Sequence, residues 1–261
     1  MTTRFKETAY KLLDILTFSR GIRVKINDFR LRLPTRYHRY FPAGYEAENF
    51  AFLKQKATDG GVVIDIGAHI GLFAVRAAQL IGQTGRVYAF EPTPATHLLL
   101  QKTVAVNEMQ YRIMPQKEAI ADEDGETFFY VSDNEGDNAN SLVNYRIDRG
   151  ALHKVTVKQT SIDNFLQKEN LASIDFIKID AEGFEYKVLL GCKNLFTSVR
   201  PFGILALHPK GIRSNGDSLE EIYDFLESCN YDVVYNKSKI TKTEFCIQND
   251  LFDVHLSPKD K

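Results

Sequence analysis

Apolar positions follow two rhythms along this chain, one near 3.6 residues and one of short continuous runs. Phe5, Ala9, Leu12, Leu13 and Leu16 recur at helical spacing and Gly21 follows Arg20 as a stop, which predicts a short amphipathic helix. Gly21 to Pro42 alternates only patchily around Pro34 and reads as a strand or two; Tyr45 to Ala57 reads as a helix closed by the turn Thr58-Asp59-Gly60-Gly61. From Val62 the order becomes regular. The runs Val62–Ile66, Arg86–Phe90, Ile113–Gln116, Ile174–Ile179 and Phe202–Leu207 have the pattern of strands buried on both faces of a parallel sheet. They alternate with helical segments: Phe73 to Ile81, Ala95 to Asn107 opened by Pro94, Glu185 to Leu190, and Leu219 to Ser228. Tyr231–Tyr235 and Glu244–Gln248 are expected to close the chain as a strand pair.

This order predicts an α/β fold with a doubly wound, mostly parallel sheet and right-handed crossovers, whose binding crevice opens at the carboxyl ends of the strands. Residues 1–58 are expected to form an extension and residues 59–261 the main domain. Between about 122 and 159 the rhythm breaks. The turn Asp122-Glu123-Asp124-Gly125, two alternating segments (Thr127–Val131 and His153–Lys158) and the polar stretch Ser132–Asn140 read as a lid-like insertion, with Ser141 expected to border the binding crevice.

Composition narrows the setting. At 44% hydrophobic and 26% charged residues the chain is that of an ordinary soluble globular protein, which excludes neither an enzyme nor a binding module. Cys192, Cys229 and Cys246 are odd in number and far apart, so neither a disulfide framework nor a zinc site is expected, and a reducing cytoplasm suits them. No run is long enough to span a membrane, and Lys11 and Asp14 break the N-terminal apolar stretch where a signal peptide would need continuity. The first forty residues hold ten Lys/Arg against three Asp/Glu. That basic head reads as a solvated helix docked on an acidic domain, and no nucleic-acid partner is expected.

Candidate chemistry gathers at strand ends. Asp65-Ile66-Gly67-Ala68-His69-Ile70-Gly71 joins a buried strand to a helix, and Gly67 and Gly71 let the backbone turn close to a ligand. A dinucleotide fingerprint would need glycine where His69 stands, which counts against a nicotinamide-dependent oxidoreductase. A ligand with a nucleoside and an amino acid but no phosphates fits better, received by Asp65, Gly67, His69 and Gly71. Glu91 ends the next strand, where a carboxylate accepts hydrogen bonds from both ribose hydroxyls. Glu118 and Ala119 follow the third strand and suit an adenine edge. Because the glycine turn and the acids lie beyond it, the basic head, residues 1 to about 40, is expected to be dispensable for binding that ligand.

Downstream, Asp180 and Glu182 lie beside the same crevice and His208 ends the following buried strand. A carboxylate there offsets a sulfonium, and Asp180, then His208, can take a proton from an attacking hydroxyl. Glu185 reads equally well as an acid complementing a helix N-terminus. An oxygen-preferring cation would use Asp180, Glu182 and His208, but no dedicated ligand spacing appears and no metal is assigned.

Three runs carry a family resemblance: Val63-Ile64-Asp65-Ile66-Gly67-Ala68-His69-Ile70-Gly71-Leu72-Phe73; Ala89-Phe90-Glu91-Pro92; and Ile174-Asp175-Phe176-Ile177-Lys178-Ile179-Asp180-Ala181-Glu182-Gly183-Phe184-Glu185. Together with Thr160-Ser161-Ile162-Asp163 and Val188-Leu189-Leu190-Gly191, they resemble the FkbM-type methyltransferases from about Val62 to Pro209. The first motif is shared by many methyltransferases; the third is specific to this group. The resemblance implies a seven-stranded class I methyltransferase sheet with a reversed last strand, S-adenosylmethionine as donor, and O-methylation of a sugar or secondary metabolite. One position departs: the family often has an acid two residues before the His-Pro of the later strand, and Ala206 stands here. The Asp/Asn-Pro-Pro-aromatic signature of amine methyltransferases is absent after Ile179, which disfavours a base nitrogen as acceptor. A non-catalytic binding protein on the same fold remains the alternative of a different class.

Overall fold

The computed structural model describes residues 17, 20–37, 40–132 and 152–260. The expected helix around Phe5–Leu16, most of the Ser132–Asn140 stretch and Ser141 lie outside the described residues.

An antiparallel hairpin, β1 (Ile22–Ile26) and β2 (Phe29–Leu33), opens the described chain, followed by helix α1 (Ala47–Lys56). Then come β3 (Val62–Ile66), α2 (Leu72–Leu80), β4 (Arg86–Phe90), α3 (Pro94–Val106) and β5 (Ile113–Gln116). A small sheet follows, made of β6 (Ala119–Ile120), β7 (Gly125–Ser132) and β8 (Leu152–Thr160). The chain returns through α4 (Ile162–Glu169) to β9 (Phe176–Asp180), α5 (Glu185–Leu190), β10 (Phe202–Leu207), α6 (Pro209–Ser214), α7 (Leu219–Ser228), β11 (Tyr231–Tyr235), β12 (Ser238–Lys239), α8 (Lys242–Cys246) and β13 (Phe252–Pro258).

The central sheet runs β12-β11-β13-β10-β9-β3-β4-β5. Strands β10, β9, β3, β4 and β5 are parallel, and β13 is antiparallel to both its neighbours. The described sheet therefore has eight strands where the resemblance implies seven, because two-residue β12 hairpins onto the edge of β11. The reversed strand is β13 and not Glu244–Gln248. Thr241 and Glu244 form a reciprocal capping box that starts α8, while Phe252, Val254 and Leu256 alternate inward along β13.

Two apolar layers sandwich the sheet. Ile64, Ile66, Ile177 and Ile179 face α4, α5 and α7; Val63, Val87 and Phe176 face α1, α2 and α3. The second layer also holds Ile26, Phe29, Leu31 and Leu33 of the hairpin, all buried. Polar clasps seat that hairpin: Arg32 N–H donates to Asn107 Oδ1 at 2.8 Å, and Asn107 Nδ2 donates to Arg32 O at 2.8 Å. Ion pairing adds Arg76 to Asp28 at 3.0 Å. No helix among the described residues is long and apolar enough to cross a membrane.

Candidate active site

A cavity of about 360 Å³ opens at the carboxyl ends of β3, β4, β9 and β10, within the size range of small-molecule sites. Of the residues singled out in the sequence, Gly67, His69, Glu91, Glu118, Ala119, Asp180, Glu182 and His208 line it. Asp65 and Gly71 do not. Asp65 is fully buried one position below the end of β3, and Gly71 caps α2 with φ +88°, where a Cβ would come within 2.6 Å of Leu100 Cδ1. Its glycine requirement thus serves helix packing.

The β3–α2 turn is folded tightly over β9. Gly67 adopts φ +76°, and a Cβ there would lie 2.0 Å from the Asp180 carbonyl oxygen. Gly67 and Ala68 N–H both donate to Phe90 O, at 3.0 and 2.9 Å. His69, where a dinucleotide fingerprint has glycine, is itself left-handed at φ +48°, and burial pushes its imidazole down to about 4. Its backbone N–H donates to Glu91 Oε2 at 3.1 Å, while Thr93 N–H donates to Glu91 Oε1 at 2.9 Å. Both Glu91 oxygens are thereby fixed at the cavity wall. Burial lifts its carboxyl to about 7 against the opposing pull of those amides.

A charged row crosses the floor. Asp65 and Lys178 are register neighbours on β3 and β9, yet neither Asp65 oxygen has a hydrogen-bond partner among the described residues, and burial raises its carboxyl to about 7 despite Lys178. Lys178 Nζ instead donates to Asp180 Oδ2 at 2.9 Å. Burial alone would lower Lys178, but Asp180, Glu46 and Asp65 outweigh it and hold the ammonium charged; in return Lys178, followed by His208, overcomes the burial of Asp180 and keeps its carboxyl below the ordinary range.

His208 faces acids on both sides. Its Nδ1 lies 2.8 Å from Glu185 Oε1, and its Nε2 lies 3.3 Å from Glu182 Oε2 and 3.8 Å from Asp180 Oδ1. Burial alone would lower this imidazole; the hydrogen bond and charge of Glu185, with Glu182 and Asp180, lift it to about 9. Glu185 is wholly buried and accepts from Gly183 N–H at 2.9 Å, so it orients His208 and is not a solvated complement to the helix dipole. Gly183, at φ +106°, admits this turn because a Cβ would stand 2.7 Å from the Gly211 backbone. Glu182 takes the left-handed conformation at φ +52°, an uncommon cost for a non-glycine residue.

Pattern reading missed several wall residues. Phe41, Tyr45, Glu46 and Asn49 of the extension line the cavity, as does Asp253 at the start of β13. Asp253 is the register partner of Ala206, so the carboxylate that the resembled family often has at that position enters here from the neighbouring strand. Asn49 Nδ2 donates to it at 2.7 Å, and His255 Nε2 pairs with Asn49 Oδ1 at 3.0 Å, which ties α1 to β13 over the site. The sequence signal for Asp253 is the alternation of Phe252, Val254 and Leu256, with the acid on the opposite face.

Residues 65–233 match the model of the methyltransferase FkbM domain. The hexuronic acid methyltransferase AglP of Haloferax volcanii is 26% identical over 169 residues, covering 62% of each chain. The 2-O-methyltransferase NoeI of Sinorhizobium fredii is 26% identical over 150 residues, 53% of this chain and 60% of that protein. The aligned part thus spans less than two thirds of either relative. A putative rRNA methylase from Clostridium thermocellum, 10% identical, shares the fold with a TM-score of 0.51 over 81% of this chain and 94% of its own. With the glycine turn, the Glu91 wall and the Asp180–Glu185 segment all inside the matched residues, the chain belongs to the FkbM methyltransferase domain family.

Proposed function

We propose that this methyltransferase uses S-adenosylmethionine to methylate a hydroxyl oxygen of a sugar or glycan acceptor. The observation that carries the reading is that a carboxylate pinned by two amides, Glu91, and an acid–imidazole cluster, Asp180, Glu182 and His208, line one cavity. The donor fits the chemistry of the walls. Six carboxylates and a single lysine line the cavity among the described residues, which suits a ligand carrying a sulfonium and an ammonium and repels one rich in phosphates. Glu91 keeps acceptor capacity for ribose hydroxyls beyond its two amide bonds, since a carboxylate has about four acceptor positions. Glu118 and the Ala119 backbone suit the adenine edge, and the Gly67–His69 backbone the amino-acid end. Asp65 lies buried beneath that turn.

When bound, the donor supplies an activated methyl group. The chain's own residues then do the rest: Asp180, Glu182 and His208 hold the acceptor hydroxyl in line with the methyl, and Asp180 takes its proton as the new C–O bond forms and the C–S bond breaks. We read the described part of the insertion, β7 and β8, as a cover for the acceptor, since Phe129 reaches the cavity wall, and α1 with the turn before it as closing the opposite side through Tyr45, Glu46 and Asn49. The names of AglP and NoeI support a sugar hydroxyl as the acceptor class.

Incubation with methyl-labelled S-adenosylmethionine and a panel of hexuronic acid glycosides, other hexosides and small phenols tests this reading. Label in a base-stable sugar ether supports it; label only in phenols or amines contradicts it. Two further results are expected by calorimetry. Glu91→Ala weakens donor binding roughly 10- to 150-fold, corresponding to about 1.5–3 kcal/mol for hydrogen bonds to a charged group; unchanged affinity in a folded variant removes Glu91 from the site. Donor affinity also falls as pH drops below about 7, because the Glu91 carboxyl, lifted to that value, must be ionised for both of its oxygens to accept from the ribose hydroxyls. The limiting slope is about tenfold per pH unit for one proton, and Glu91→Gln abolishes it.

A further inference from the structure

We infer that Asp180, Glu182 and His208 form a binding site for a divalent cation of the Mn²⁺ or Mg²⁺ class on the acceptor side of the cavity. The inference rests on the methyl-transfer reading above and deepens it. Carboxylate oxygens of Asp180 and Glu182 and the imidazole of His208 can present ligand atoms all within 4.8 Å of one another. Neighbouring ligands on an octahedral cation with bonds of about 2.1 Å stand about 3 Å apart. Nε2 of His208 is already 3.3 Å from Glu182 Oε2 and 3.8 Å from Asp180 Oδ1, so both acids stand within about 1 Å of that spacing from the imidazole, and closing the set around an ion asks for a side-chain adjustment of the two carboxylates.

The imidazole is built as a ligand is built. Glu185, with no exposed surface, holds Nδ1 at 2.8 Å and leaves Nε2 as the nitrogen turned toward the two carboxylates. A buried carboxylate behind a histidine is the usual outer support of a metal-bound imidazole, fixing its tautomer and raising its basicity. Glu185 supplies a second, independent sign. Its other oxygen, Oε2, is buried without a hydrogen-bond partner among the described residues, where its charge meets the Gly183 amide and the His208 ring. A dication on Nε2 polarises Nδ1–H toward Glu185 and offsets that charge through the ring.

Two oxygens and one nitrogen, with no thiolate, favour Mn²⁺ or Mg²⁺ over structural zinc. The cysteines stand apart from the cluster: Cys192 and Cys229 are buried elsewhere, and Cys246 ends α8. Three protein ligands leave positions open toward the cavity for water and an acceptor hydroxyl, whose proton a bound dication makes easier to remove.

The test is titration of the chelator-stripped full chain with Mn²⁺, followed by loss of the free-ion electron paramagnetic resonance signal, alongside calorimetry of S-adenosylmethionine. Saturable Mn²⁺ uptake is expected, weakened at least tenfold by Glu182→Gln or His208→Ala and by roughly 10- to 100-fold by Glu185→Gln. Thermal melting of each variant identifies any that fail to fold, and uptake by the unsubstituted chain is decisive without them. A folded chain that binds the donor but takes up no Mn²⁺ or Mg²⁺ overturns the cation site and leaves the methyltransferase reading standing. Uptake that survives all three substitutions in folded chains places the ion elsewhere and overturns it as well. Uptake at this cluster without donor binding supports the cation site and sinks the donor reading.

Discussion

Replacing Asp180 with Asn is expected to lower methyl-transfer turnover by about 10²- to 10⁴-fold, the usual cost of losing a proton-accepting group. Donor affinity should change far less. The amide keeps the size of the side chain and one of its oxygens, but it removes the charge that Lys178 Nζ holds at 2.9 Å and that faces His208 at 3.8 Å, and with it the capacity to take a proton. Because Lys178 is buried, the substitution also strips a paired ammonium of its counter-ion, and some loss of thermal stability accompanies the loss of rate. Turnover and donor affinity measured on the same preparation separate the two effects. Normal turnover in a folded Asp180→Asn variant removes the carboxylate from the chemistry and moves that role to His208.

Deleting residues 1–40 is expected to abolish cooperative folding. From sequence this segment reads as dispensable for donor binding, since every recognised motif lies beyond it. The structure bears on stability instead, because Ile26, Phe29, Leu31 and Leu33 are buried in the same apolar layer as α2, α3 and the floor strand β3. At about 1.5–3 kcal/mol for each buried side chain, their removal costs roughly 6–12 kcal/mol as an upper estimate. Total stabilities of domains are about 5–15 kcal/mol. The truncated chain should therefore show no sharp thermal transition and should bind apolar dyes. A cooperative melt close to that of the full chain would mean that the hairpin merely covers the domain.

The central sheet is legible in the sequence because β3, β4, β9 and β10 are largely buried, and continuous apolar runs between turn residues have few other readings. The last strands are less so. Glu244–Gln248 reads as extended, but Thr241 and Glu244, three apart, are a helix-start signal. Glu91 can be located from a strand end and its distance from the glycine turn, since both features are local in sequence. His208 can be found in the same way, but its pairing with Glu185 across 23 residues cannot. Asp253 shows the same limit: a pattern of alternating apolar residues marks its face as polar without saying that the polar face meets a cavity beside Ala206. Asp65 errs in the opposite direction, because a motif position expected to face a ligand lies here beneath the turn.

The measurement that bears most directly on the central claim is calorimetric titration of the full chain with S-adenosylmethionine, with NAD as the control ligand. Saturable binding of S-adenosylmethionine, lost or strongly weakened in Glu91→Ala, and no heat from NAD is the expected result. Saturable binding of NAD with none of S-adenosylmethionine, in a chain shown to be folded, would contradict the claim.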